Sequence, residues 1–291
     1  MPSPRDIRRR IKSIRNTAQI TKAMQMVAAS KMRRAQQAAL AGRAYAAMMQ
    51  RVLDEVTPHA GDFAHPLMEV REVRKRALVV VSPDRGLCGS LNSTLLREVN
   101  KLNPSDLVFV AVGRKVSQFI GRTRRHLAAE FPYQDVPKFA EARAVARFAK
   151  DLFLKREVDQ VDVLFTYFVS TLSQRPELRP LLPVGEITSE QEQEEQAKLA
   201  VMMKGATEFA FEPSAARVFE AMLPHYLDFQ IYQVLLEAKA SEHSARMVAM
   251  KNATDNAQNL IHELTLKYNK SRQAMITKEL LEITTASMAM E

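Results

Sequence analysis

The stretch Pro4–Ala41, PRDIRRRIKSIRNTAQITKAMQMVAASKMRRAQQAALA, decides how the rest of the chain is read. Between Arg5 and Ala41 it contains neither Gly nor Pro, the residues that most oppose a helix. Ser3-Pro4 in front of it is an N-cap followed by Pro at the first helical position. Apolar and small residues recur every seven positions, as Ile7, Ile14, Thr21, Ala28 and Ala35 and as Ile11, Ala18, Gln25, Met32 and Ala39. That is a coiled-coil seam whose second half is small enough for close helix approach. Ile20, Met24 and Val27 form a second apolar face off the seam, so this helix has more than one neighbour. It is expected to end before Pro58.

A partner for the seam is available at the other end of the chain. His225–Glu291 again lacks Gly and Pro. The two stretches, about 37 and 67 residues, would reach roughly 55 and 100 Å at 1.5 Å per residue. Ordinary globular helices run about three turns, so helices of this length suggest a rod with a scaffolding or mechanical task. Glu212-Pro213-Ser214 caps the second helix, and Pro224 kinks or restarts it early. The polar run Asn252–Asn259 interrupts its apolar pattern.

Between the helices the pattern changes. RALVVVS (Arg76–Ser82), DLVFVAVG (Asp106–Gly113) and VDVLFTYFVS (Val161–Ser170) read as buried strands, with His126–Phe131 a weaker one. Helical patterns at Leu91–Leu102, Lys115–Gly121 and Phe139–Arg156 alternate with them, which implies a Rossmann-like α/β domain with a mostly parallel sheet. Residues 172–213, with Pro176, Pro180 and Pro183 and an acidic run from Glu186 to Glu195, are expected to give an edge strand or hairpin, a mobile loop, and a last strand near Phe209–Glu212. The expected division is residues 1–58 as the first coiled-coil helix, 75–212 as the α/β domain and 213–291 as the last coiled-coil helix.

Charge is placed unevenly. The 291 residues carry a formal net charge of +9, yet residues 1–43 alone hold eleven Lys and Arg against the single acid Asp6, an excess of ten. Such a helix seeks an acidic partner, whether nucleic acid, anionic lipid or acidic protein loops. A basic coiled coil that binds nucleic acid predicts steep salt dependence but leaves the sheet without a role.

Chemistry-bearing constellations are sparse. The one cysteine, Cys88, allows neither an internal disulfide nor a cysteine metal cluster and fits a reducing compartment. The six histidines are scattered, and the acidic run is too irregular for a calcium loop. Asp84-Arg85-Gly86-Leu87-Cys88-Gly89 lies between a strand and a helix, a context able to hold phosphate, but it is neither a Walker loop nor a G-x-G-x-x-G turn. A nucleotide-binding α/β enzyme with helical arms is the alternative reading; no catalytic, cofactor or metal residues can be assigned. The basic N-terminal stretch lacks a secretory apolar core, and no apolar run approaches the roughly 20 residues that cross a bilayer.

Four blocks carry a family resemblance: ITKAMQMVAASKM (Ile20–Met32), SPDRGLCG (Ser82–Gly89), SEHSARMVAMKNATDN (Ser241–Asn256) and YNKSRQAMITKELLEI (Tyr268–Ile283). In this order and separation the chain resembles the gamma subunits of F-type ATP synthases, of bacterial type, over nearly its full length. It shows no inserted cysteine pair of the kind that forms the redox switch of chloroplast members. The resemblance implies a non-catalytic central-stalk rotor that couples proton flow through the c-ring to cycling of the catalytic sites on the beta subunits. Its terminal helices would form a left-handed antiparallel coiled coil inside a ring of three alpha and three beta subunits, one copy per complex. The α/β domain would stand on the c-ring beside the epsilon subunit, peripheral to the cytoplasmic face of the bacterial inner membrane. Nucleic acid and bound cofactors have no part in this picture. Lys22, Met24 and Val27, with Arg272, Gln273, Thr277 and Glu279, would contact acidic loops of the beta subunits. Asp84, Arg85, Gly86, Tyr226 and Asp228 would lie toward the c-ring and epsilon. The tail Thr284–Glu291 departs from the Gly- and Ala-rich ending of many members.

Overall fold

The computed structural model describes residues 3–56, 65–184, 212 and 214–288. The elements run α1 (Pro4–Val56), β1 (Arg76–Val81), α2 (Leu91–Lys101), β2 (Leu107–Val112), α3 (Arg114–Arg122), β3 (Leu127–Phe131), α4 (Phe139–Leu154), β4 (Gln160–Phe168), β5 (Gln174–Leu182) and α5 (Ala215–Met288). The long helices are those that the absence of Gly and Pro dictates. Gly42 lies inside α1 without ending it, and Pro224 lies inside α5. Pro224 has no N–H to offer the preceding turn, yet α5 runs on through it. Lys150 Nζ on α4 donates to the Pro224 carbonyl at 3.3 Å.

The chain forms two compact units, and the division cuts across both long helices. Residues up to 29 and from 246 onward make one, and residues 30–245 make the other. In the first unit the seam is the one the heptads predict. Ile7, Ala18 and Ala28 are buried, and Ile11, Ile14, Thr21 and Gln25 are half-buried. The facing stripe on α5 is Met250, Thr254, Ala257, Ile261, Leu264, Tyr268 and Ser271, spaced alternately by four and three residues. Arg8 hydrogen-bonds the Tyr268 hydroxyl and stacks over its ring, while the Thr21 and Thr254 hydroxyls lie 2.8 Å apart. Residue numbers therefore rise on one helix as they fall on the other, and the pair is antiparallel. From Arg272 to Ala286 every residue of α5 is exposed.

The Thr21–Thr254 pair is a polar layer within the seam, and such layers set register. Thr21→Val and Thr254→Val, measured singly and together by denaturant unfolding, are expected to show a coupling of about 1 kcal/mol. Additive losses would remove the pair from the list of register-setting contacts.

In the second unit the sheet order is β3-β2-β1-β4-β5, with β1 to β4 parallel and β5 antiparallel to β4. The strands are runs of Val, Leu, Ala and Phe because both faces are covered. Ala77, Val79 and Val81 face α4 (Val145, Ala149, Phe153) and the start of α5 (Leu223, Leu227, Val234). Leu78 and Val80 face α2 (Leu95, Val99) and α3 (Val116, Ile120). β5 is the edge strand expected from the proline spacing: Pro176 and Pro180 stand opposite Thr166 and Asp162, where a missing N–H is tolerated at a sheet edge. The expected mobile loop and most of the expected strand at Phe209–Glu212 lie outside the described residues; Glu212 itself is in a bend.

Candidate functional site

In doubly wound sheets a ligand binds beyond the C-terminal strand ends where strand order reverses, here between β1 and β4. In this chain the turn after β1 is bonded to α3, the helix that follows β2. The Ser82 hydroxyl accepts from Val116 N at 3.0 Å, Asp84 Oδ1 accepts from Arg114 N at 2.9 Å, and Lys115 N donates to the Pro83 carbonyl at 3.2 Å. The first amides of α3 are thus capped by the Ser82–Asp84 turn, which ties the end of β1 to the helix after β2. Tyr133 Oη donates to the Ser82 carbonyl at 3.2 Å from one side. On the β4 side, Ser241 Oγ and Ser244 Oγ of α5 donate to the Thr166 and Thr171 carbonyls at 2.9 and 2.7 Å. The Asp84–Gly89 motif is a structural turn in this arrangement. Leu87 at its tip is exposed with φ +62°, an uncommon conformation outside glycine.

Elsewhere the chemistry is equally bland. No group of three or more His, Cys, Asp or Glu placed to hold a metal occurs among the described residues. A surface groove lies among His65, Glu69, Arg71, Leu154 and Arg156. Its cations are turned inward on Glu69, with Arg71 at 2.6 Å and Arg156 at 3.2 Å, and the Arg71 hydrogen bond holds the Glu69 carboxyl below its ordinary pKa.

The residues singled out in sequence fall into three groups. Lys22 and Val27 are exposed on α1 and Met24 is half-buried; Ile20, Met24 and Val27 form one stripe, with Ile20 at 60 % and Val27 at 54 % exposure. Arg5, Arg8, Arg9, Arg10, Lys12 and Arg15 are exposed on the same helix. Arg272, Gln273, Thr277 and Glu279 are exposed on the part of α5 beyond the seam. The Thr277 hydroxyl is turned back onto the Gln273 carbonyl at 3.0 Å. Given the register, Lys22–Val27 faces α5 near residues 248–253, so Arg272 lies roughly 28 Å farther along the axis at 1.5 Å per residue. The structure therefore makes two bands on one helix pair rather than a single site.

The third group divides between a turn and the core. Asp84, Arg85 and Gly86 sit in the turn after β1, with Asp84 tied to α3. Tyr226 is 1 % exposed, enclosed in the core between the sheet and α5, and presents almost no surface to another molecule. Asp228 is buried against α4, paired with Lys150 at 2.7 Å and with Arg143 at 3.7 Å. Burial and intrachain pairing account for both residues.

The sequence reading passed over Asp135, Lys239, Ser241 and Ser244. Lys239 Nζ lies 2.9 Å from Glu242, 3.9 Å from Asp135 and 4.2 Å from the Tyr133 ring centroid. Lys31 of α1 hydrogen-bonds the same Asp135, and that bond foremost holds its carboxyl below the ordinary range. The available signal was the polar run Lys239–Ser244 in a part of α5 that must pass the domain.

Comparison with known proteins agrees with the geometry. The family model described as "ATP synthase" matches residues 3–290. The ATP synthase gamma chain of Methylacidiphilum infernorum is 44% identical over 295 residues, covering 100% of each chain. That of Opitutus terrae is 46% identical over 292 residues, covering 99% of each. Among solved structures, a chain of the Tetrahymena thermophila mitochondrial ATP synthase central stalk and c-ring superposes with a TM-score of 0.61 at 28% identity, covering 80% of this chain and 99% of that one. With full-length relatives at this identity and a family model that matches nearly the whole chain, the chain belongs to the ATP synthase gamma-chain family.

Proposed function

We propose that this chain is the turning shaft of a bacterial F-type ATP synthase, one copy standing within a ring of three alpha and three beta subunits, with its α/β unit on the c-ring beside epsilon. The observation that carries the reading is the antiparallel helix pair of the first unit, with Val27 and a row of cations exposed and Met24 half-buried beside them, in a chain whose full-length relatives are gamma chains. Rotation presents a different side of this surface to each beta subunit in turn. Each beta site then shifts toward the conformation its current contact favours, so binding affinity changes in sequence through differential contacts. Such a shaft must be stiff yet hold no single orientation. A surface of Met, Val, Ala and long cations gives many weak contacts rather than one deep interlock.

The excess positive charge of the first helix suits acidic protein loops. No described helix is long and apolar enough to cross a membrane, so attachment to the cytoplasmic face of the inner membrane runs through the c-ring. Purification of the native complex through a tag on this chain is expected to return alpha, beta and epsilon with one copy per three alpha–beta pairs. Equal copy numbers, or a chain recovered alone from membranes, overturn the reading. Met24→Lys adds a cation to the outward stripe; it is expected to leave assembly intact while lowering proton-driven ATP synthesis about tenfold, an effect of roughly 1.4 kcal/mol. Normal synthesis by a fully assembled variant would remove Met24 from the coupling surface.

The enzyme reading predicts tight ATP or NAD binding at Asp84–Ser90. Because the full-length relatives are gamma chains, titration of the purified chain is expected to show none.

A further inference from the structure

Eight successive residues of α5, Glu237, Ala238, Lys239, Ala240, Ser241, Glu242, His243 and Ser244, are all buried. A helix enclosed on every side is ordinarily apolar all round, whereas six of these eight are polar. The surroundings come from several elements. Ala240 packs with Ala35 of α1 and Phe168 of β4. Ser241 and Ser244 donate to carbonyls at the end of β4 and in the turn after it. Lys239 reaches Tyr133 and Asp135 in the segment between β3 and α4, and Lys31 of α1 meets the same Asp135. With about 3.6 residues per turn, Ser241 and Ser244 project to one side of the helix and Lys239 to the other.

Apolar packing resists separation but is non-directional, so a helix held by it alone can roll against its neighbours. Hydrogen bonds weaken steeply when misaligned, and bonds from opposite sides of a helix fix its rotation about its own axis. Burying an ammonium and a carboxylate gains little stability over an apolar pair, so this arrangement is not explained by stability alone. We infer that residues 237–244 are the joint through which turning force passes between the α/β unit and α5, with Lys239, Ser241 and Ser244 as positioning residues and Asp135 as the bracket that also engages α1. This rests on the rotor reading above and deepens it.

The test uses the assembled complex, with the alpha–beta ring immobilised and a probe on the c-ring. Two quantities are read: the angular fluctuation of the stalled rotor, and protons pumped per ATP hydrolysed. Ser241→Ala combined with Ser244→Ala removes two hydroxyls without adding volume. It is expected to raise the angular variance about twofold, because directional bonds are lost while packing is kept, and to lower the pumping ratio with unloaded ATP hydrolysis unchanged. Asp135 is exposed enough to vary without disturbing the core; Asp135→Ala is expected to act in the same direction and Asp135→Glu to remain near the unmodified rotor. Wild-type variance in an assembled Ser241→Ala, Ser244→Ala complex overturns the joint. If that variant fails to assemble, the Asp135 pair decides, and equal behaviour of Ala and Glu overturns it. An unmodified chain that does not rotate with the c-ring refutes the rotor reading itself, and the joint with it.

Discussion

Gly113→Ala is expected to lower the unfolding free energy of the α/β unit by about 4 kcal/mol, among the largest effects a single methyl can have. Gly113 has φ +97°, a conformation that side-chain-bearing residues rarely adopt. A Cβ built there would lie 2.1 Å from the Ser82 carbonyl oxygen, which is backbone and unable to swing away. Both sides of the clash are pinned. Ser82 N donates to the Val112 carbonyl at 2.9 Å, and Gly113 N donates to the Phe131 carbonyl at 3.0 Å. The Ser82 hydroxyl and carbonyl also hold Val116 and Tyr133. Relief would require parting the C-terminal ends of β1 and β2, which are paired in register from Arg76↔Leu107 to Val81↔Val112. Denaturant unfolding of the purified chain checks this, with hydrogen exchange in β1 and β2 as a second readout. A loss below about 1 kcal/mol would mean the strand ends yield far more readily than their hydrogen bonding implies.

Tyr226→Ala carries the second largest expected effect, about 3–5 kcal/mol of stability lost from the same unit. The ring lies in the cluster with Phe219, Leu223, Leu227 and Ile231 of α5 and the inner face of the sheet. Truncation leaves a cavity of aromatic size that the enclosing helix and strand cannot easily fill. The result separates two roles for this residue. A core residue loses stability in the isolated chain before any partner is present. A residue that serves a partner keeps stability and loses assembly. Unchanged unfolding of the isolated variant together with loss of the c-ring or epsilon from the complex would sink the packing account.

The parts of the fold that were legible in sequence share one property: their signal is local and repeated. The seam residues Ile7, Ala18 and Ala28 recur at heptad spacing, and burial follows that spacing. Val79, Val110 and Val163 belong to short apolar runs bounded by turn residues, and those runs became the central strands. The prolines at 176 and 180 announced an edge. The antiparallel β4–β5 pair is the hairpin that was one of the two expected forms of this segment, and the same strand is also the sheet edge.

The site residues divide along the same line. Met24 and Val27 fall outside the heptad, and the structure leaves Val27 exposed and Met24 half-buried. Asp84, expected on the side toward the c-ring and epsilon, accepts through Oδ1 from an amide thirty positions onward. Asp228, expected on the side toward the c-ring and epsilon, is paired within the chain with Lys150, on a helix 78 positions earlier. Lys239, Ser241 and Ser244 carry a polar composition that suits solvent, yet they are enclosed because α1, β4 and the segment around Asp135 close around them.

By itself the sequence determined the two long helices, the seam that pairs them, the alternating strands and helices between, and the charge of the first helix. Each of these follows from backbone propensity and from a periodicity that neighbouring residues impose on one another. The tertiary structure alone decided which polar side chains are surface and which are internal bonds. A carboxylate or hydroxyl has the same local preferences in either setting. Its energy is set by partners the fold brings from tens or hundreds of positions away, and an unpaired polar group in the interior costs too much to persist. The polar side chains of Lys239, Ser241 and Ser244 are enclosed and paired for that reason.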